Sequence, residues 1–133
     1  MRYLLDTSIV SDLIKNPRGR VTQKIAAVGE QQVCTSIVVA AELRYGARKK
    51  NSARLTAQVE AVLGALEVLP LEAPVDHVYG ELRVALEGAG CVIGGNDLLI
   101  AAQAIALGYS VVTDNERKFA RVEGLHCENW LRS

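Results

Sequence analysis

The amino-acid sequence predicts an α/β fold, a central parallel sheet covered on both faces by helices. Three observations carry this. Short apolar runs of strand length alternate with stretches of helical periodicity along the chain. Half of the residues are hydrophobic and only 5% are aromatic, so the core is aliphatic. The length of 133 residues suits a single domain, residues 1–133, built around one core.

The elements follow in order. Residues 2–5 read as a short buried strand. Thr7 and Ser8 can cap a helix over about residues 8–14, ended by Asn16-Pro17 and Gly19. A second helix covers about 20–29. Gln32 to Thr35 is the next strand, and Ser36 can cap a helix from 37 to about 49. Leu55, Val59, Val62, Leu63 and Leu66 recur at helical spacing and predict a helix near 52–66. Val68-Leu69 is a short strand. Pro74 opens a helix to about 88, with Val75, Val78, Leu82, Ala85 and Leu86 on one face. Asn96 is the expected cap of a helix over 97–107, and Gly108 sits where a helix ends. Ser110 to Thr113 is a strand, a short helix follows near 115–120, and Leu125 to Cys127 is a last short strand.

Composition excludes several classes. No apolar run approaches the length of a membrane span, and Met1 to Asp6 reaches a carboxylate too soon for a signal peptide. A cytoplasmic protein is expected. Cys34, Cys91 and Cys127 are far apart and odd in number, with no C-x-x-C pair and two histidines, which disfavours structural zinc and a disulfide framework. Formal net charge is zero. Three basic stretches stand out: Lys15 to Lys24, Arg44 to Arg54, and Arg117 to Arg121. Each alone is an ordinary solvated face.

The acids carry more information. Asp6 ends an apolar run, Glu42 interrupts Ile37 to Leu43, and Asp97 opens Leu98 to Ala102. A lone carboxylate inside a core-forming segment is costly unless its charge is compensated. Asp6 alone could be a helix cap, and Asp97 alone could suit a helix dipole. Glu42 alone could pair with Arg44 or Arg48. In a parallel sheet, however, sites form outside the carboxyl ends of the strands. Asp6 follows the first strand, and Thr113, Asp114 and Asn115 follow a later one, so distant segments meet at one rim. Three acids gathered there suggest a hard divalent cation, Mg2+ or Mn2+, which takes few carboxylates and leaves room for a phosphate. No P-loop is present, and Ser8 stands where an aspartyl-phosphate phosphatase would need a second Asp.

Four blocks then make the pattern familiar. They are Leu5-Asp6-Thr7-Ser8, Ser36 to Ala47 around Ala41-Glu42-Leu43, Ile93 to Ala102 around Asn96-Asp97, and Val111 to Val122 running on to Gly124-Leu125 and Glu128-Asn129-Trp130. In this order and spacing the chain resembles the PIN-domain ribonuclease toxins called VapC. The resemblance implies a PIN-like α/β/α sandwich and a Mg2+- or Mn2+-dependent endoribonuclease. It also implies a type II toxin–antitoxin role with a VapB-like antitoxin, as a homodimer and a toxin–antitoxin hetero-oligomer. Carried over residue by residue, Asp6, Glu42 and Asp97 match the metal-binding catalytic acids. Thr7 and Thr113 match supporting polar residues, with Thr7 expected to orient Asp6.

Asn115 departs from the pattern. Many PIN domains carry a fourth acid there, while here Asp114 and Glu116 flank an amide. Arg44, Arg48, Arg117 and Lys118 are the expected RNA-phosphate contacts. The dimer is expected through the apolar faces of the helices near 37–49 and 52–66. The branch sharing Asn115 and Trp130 is associated with cleavage of initiator tRNA. Two rivals stay open: a non-catalytic RNA- or protein-binding module, and a nuclease outside any toxin system.

Overall fold

The computed structural model describes residues 2–132. Five strands form one parallel sheet: β1 (Tyr3–Leu5), β2 (Val33–Ser36), β3 (Glu67–Leu69), β4 (Ser110–Val112) and β5 (Cys127–Glu128). Their order across the sheet is β3-β2-β1-β4-β5. The central register pairs Leu5 with Thr35 on one side and with Val112 on the other. The connecting helices are α1 (Thr7–Lys15), α2 (Arg20–Val28), α3 (Ile37–Lys50), α4 (Ala53–Ala65), α5 (Val75–Gly88), α6 (Gly95–Leu107) and the short α7 (Glu116–Phe119).

The core is aliphatic, as composition predicts. Leu4, Leu5, Ile9, Val10, Val39, Ile100, Val111 and Val112 are fully buried. Phe119 and Trp130 close its edge, and the Trp130 ring meets Tyr3 edge-on at 5.2 Å. Thr35, also fully buried, satisfies its hydroxyl on the Leu5 carbonyl at 2.7 Å. This is the compensation a buried polar group needs. Gln103 fastens α6 to the segment after β3 through the Leu69 and Pro70 carbonyls.

Strand order decides where a site can form. From β1 the chain crosses to β2 on one side, and β4 lies on the other. The crevice between the carboxyl ends of β1 and β4 is therefore the switch point of the sheet, where open α/β folds bind their ligands.

Two caps differ from expectation. Asp6, not Thr7 or Ser8, caps α1: its side chain accepts the Ile9 N–H at 3.1 Å. The helix thus starts one residue earlier, because a carboxylate competes well for the free amides of a first turn. Likewise α6 begins at Gly95 with Gly94 as its cap and no side-chain capping bond, so Asn96 lies inside the first turn. Of the two helices expected at a dimer interface, Val38, Val39, Leu43 and Ala47 of α3 and Val59 and Leu63 of α4 are buried in this protein's own core, while Ile37 and Tyr45 of α3 stay exposed. Among the described residues no helix is long and apolar enough to cross a membrane.

Candidate active site

Asp6 stands at the switch point, immediately after β1, and is 5% exposed. Two parallel relays hold it. Ser8 donates its hydroxyl to Asp6 Oδ1 at 2.7 Å and accepts the Asp114 N–H at 3.2 Å. Thr113 donates its hydroxyl to the same carboxylate, while its oxygen accepts the Asn115 N–H at 2.9 Å. Accepting an amide fixes the oxygen and leaves the hydroxyl proton for the acid. The loop after β4 therefore supplies consecutive backbone amides that aim two hydroxyls at one carboxylate.

The electrostatics of Asp6 are mixed. Burial pushes its carboxyl above the ordinary range, and the charge of Asp97 adds to this. Thr113, Ser8 and the Ile9 amide act in the opposite sense. Asp97 lies in the first turn of α6, so the helix brings it within electrostatic reach of Asp6. Its Oδ2 accepts a 2.7 Å ion pair from Lys118 Nζ.

Glu42 lies on α3, half-buried, and takes the Thr7 hydroxyl. Thr7 thus serves Glu42, not Asp6 as expected, because in the first turn of α1 its side chain faces α3. Arg44 does not pair with Glu42 either: it holds Glu60 of α4 through two 2.9 Å bonds. A groove beside this acid is lined by Thr7, Ile37, Val38, Ala41, Tyr45 and Asn96.

The remaining expected residues are placed as follows. Asp114 contributes its backbone to the Ser8 relay, and its side chain accepts from Asn129 at 3.3 Å. Asn115 caps α7, accepting the Lys118 N–H at 3.3 Å. Arg48 and Arg117 are exposed. The stretch beginning at Lys15 does not converge on the acids: nine residues of α1 carry the chain away from Asp6, about 13 Å at helical rise. The sequence marked Ser8 as a capping hydroxyl and as the residue that takes the place of a second Asp, not as a partner of Asp6. Its position two residues after an acid at a strand end was the available signal.

The donor set fits a hard divalent cation. Asp97 lies within electrostatic reach of Asp6, and its Oδ2 already holds the Lys118 ammonium at 2.7 Å. Mg2+ commonly takes one or two carboxylates and completes its shell with water. Among the described residues no group of three or more His, Cys, Asp or Glu side chains is placed to hold a metal ion. Glu42 is held by Thr7, the residue after Asp6, and shares a groove with Asn96, the residue before Asp97.

The PIN domain family model matches residues 3–125, which include all three acids and both hydroxyl relays. The chain belongs to the PIN domain family. Ribonuclease VapC2 of Rickettsia felis is 38% identical over 132 residues, with 98% of each chain covered. The tRNA(fMet)-specific endonuclease VapC of Shigella flexneri is 34% identical over 131 residues, again with 98% of both chains covered. Among solved structures, VapBC2 from Rickettsia felis bound to a DNA fragment from its promoter superposes with a TM-score of 0.91 at 35% identity. That match covers 98% of this chain and 99% of the other.

Proposed function

We propose that the chain is a Mg2+- or Mn2+-dependent endoribonuclease, the toxin of a VapBC-type toxin–antitoxin pair. The observation that carries this reading is the pairing of Asp6 and Asp97 at the β1–β4 switch point, with a cation already on Asp97. Full-length similarity to VapC ribonucleases supports it. The bacterial cytoplasm is the proposed location.

Asp6 and Asp97 are the proposed direct metal ligands. When bound, the cation activates water and stabilises charge developing on a phosphodiester. Everything else falls to the chain's own side chains. Ser8 and Thr113 fix the orientation of Asp6. Thr7 fixes Glu42, which completes the site or orients the attacking water. Hydrolysis by water needs no covalent enzyme intermediate. The groove beside Glu42 is the proposed path of the RNA, with the exposed Tyr45 ring as a stacking face for an unpaired base. Arg44, Arg48, Arg117 and Lys118 are the proposed phosphate contacts. The substrate class is structured RNA, with initiator tRNA as the first candidate.

The antitoxin is VapB-like, as in the VapBC structure that this fold matches. A homodimer is also proposed. Since the inner faces of α3 and α4 are already covered, exposed Val84 and Val92 near the α5–α6 turn are its candidate apolar contacts.

The test is direct. Purified chain, structured RNA including initiator tRNA, and Mg2+ should give discrete cleavage products, and EDTA or Asp6→Asn should remove them. RNA bound but uncut in Mg2+ would support a non-catalytic binding module instead.

A further inference from the structure

We propose that Lys118 is a built-in cation of the acidic centre that competes with divalent metal for Asp97, and that substrate phosphate draws it away. The inference rests on the metal-centre reading above and adds the regulation of metal loading at the same site.

Geometry supports it first. Lys118 Nζ lies 2.7 Å from Asp97 Oδ2, and the two side chains are 35% and 24% exposed. By contrast, the Arg44–Glu60 pair is 51% and 50% exposed, and Arg83–Glu87 is 57% and 60%. Partial burial weakens screening by water and salt, so the Lys118 charge is felt at Asp97 more than a surface pair would be. An ammonium is a compact point charge that one carboxylate oxygen can satisfy, and it can exchange that oxygen for another.

The placement is also built. Asn115 caps the turn that carries Lys118, and the next residue, Phe119, is anchored in the core at 1% exposure. The same segment starts at Thr113, whose hydroxyl serves Asp6. Residues 113–118 therefore put a neutral donor on one acid and a positive charge on its neighbour.

The consequence is a linkage. A divalent cation that engages Asp97 meets a positive charge already seated there, and its affinity is lowered by their repulsion. A phosphodiester offers Lys118 anionic oxygens of comparable strength. Moving the lysine to phosphate frees Asp97, so metal and RNA strengthen each other's binding reciprocally.

Full-length wild type, Lys118→Met and Lys118→Arg are titrated with Mn2+ by calorimetry and electron paramagnetic resonance. Each titration is run with and without a 2′-O-methyl RNA oligonucleotide as an uncleaved phosphate backbone. Circular dichroism verifies that each variant is folded, and Lys118→Arg controls for loss of charge. Lys118→Met should bind Mn2+ roughly tenfold or more tightly than wild type, with Lys118→Arg close to wild type. The oligonucleotide should tighten Mn2+ binding to wild type and leave Lys118→Met unchanged. Equal Mn2+ affinity in wild type and Lys118→Met, or equal tightening of both by the oligonucleotide, overturns the proposal while leaving the metal centre standing. A wild type that takes up no Mn2+ under any condition overturns the metal centre and this inference together.

Discussion

Ser8 donates its hydroxyl to Asp6 Oδ1 at 2.7 Å while accepting the Asp114 amide N–H at 3.2 Å. One hydroxyl thus ties the first turn of α1, the acid after β1 and the loop after β4 into a single unit. Thr113 repeats the arrangement from the other side with the Asn115 amide. Outer groups that orient a metal-binding acid commonly contribute ten- to a hundredfold in affinity or activity, about 1–3 kcal/mol. Ser8→Ala should therefore lower Mn2+ affinity by about tenfold, and Thr113→Val by a similar factor. The double variant should fall short of the product, because both act on one carboxylate. Unchanged Mn2+ titrations in both single variants would remove the relays from the site.

Asp6→Asn should abolish cleavage and leave the fold intact. Asn caps a helix about as well as Asp, so the bond from the Ile9 amide survives. The pH dependence follows from the raised Asp6 pKa. A carboxyl whose folded pKa exceeds its unfolded value favours folding at acid pH, and that contribution is lost as pH rises through the folded pKa. Without metal, the Asn variant should match or exceed the wild-type melting temperature at neutral pH. Its advantage should shrink as pH falls through the raised Asp6 pKa and be gone once pH lies below the ordinary carboxylate range. Melts in EDTA from acid to neutral pH check this, and a variant that is less stable at neutral pH contradicts it.

Glu42→Gln should be severely impaired, with a weakened dependence on Mg2+. Thr7→Val should act in the same direction and more mildly, since it only releases Glu42. If Thr7 acts through Glu42 alone, adding Thr7→Val to Glu42→Gln should change kcat little further. Additive losses would assign Thr7 a separate contact.

Tyr45 is 66% exposed beside the acidic groove. Tyr45→Ala should raise KM for RNA by roughly tenfold, the effect of losing about 1–3 kcal/mol of base stacking, with kcat nearly unchanged. Melting temperature should hardly move, because an exposed ring has little packing to lose. A fall in kcat at constant KM would place Tyr45 in a different role.

The antitoxin should compete with metal. A C-terminal antitoxin segment with an apolar anchor and an Arg can place paired hydrogen bonds on a site carboxylate. The apolar anchor has to offset the cost of ordering that segment. Excess Mg2+ should then weaken its binding, and Asp97→Asn should weaken both the complex and catalysis. Calorimetry of the tail peptide against wild type and Asp97→Asn reads this. Equal affinities with no effect of Mg2+ would mean that inhibition acts elsewhere.

The alternation of short apolar runs with helical periodicity was enough to set the fold class. Buried parallel strands such as Ser110-Val111-Val112 must be apolar on both faces, and that is visible locally. The three acids were visible for the same reason, since a charge inside an apolar run stands out. The three blocks around them, with the fourth from Val111 to Trp130, were also sufficient to point to the PIN family. Helix starts were less legible. Asp6, Thr7 and Ser8 can each cap α1, and only the folded backbone shows that Asp6 does so.

Tertiary structure decided the pairings. The sequence cannot say that Thr7 faces Glu42, that Arg44 meets Glu60 across two helices, or that Lys118 reaches Asp97 over 21 positions. Each bond joins elements whose relative placement depends on strand order, and strand order is a property of the whole sheet. Local sequence thus determined which residues are chemically able to act, because burial and periodicity are read over a few residues. Which of them share one centre was decided by β1 and β4 lying side by side, a long-range pairing that brings Asp6 and Thr113 together.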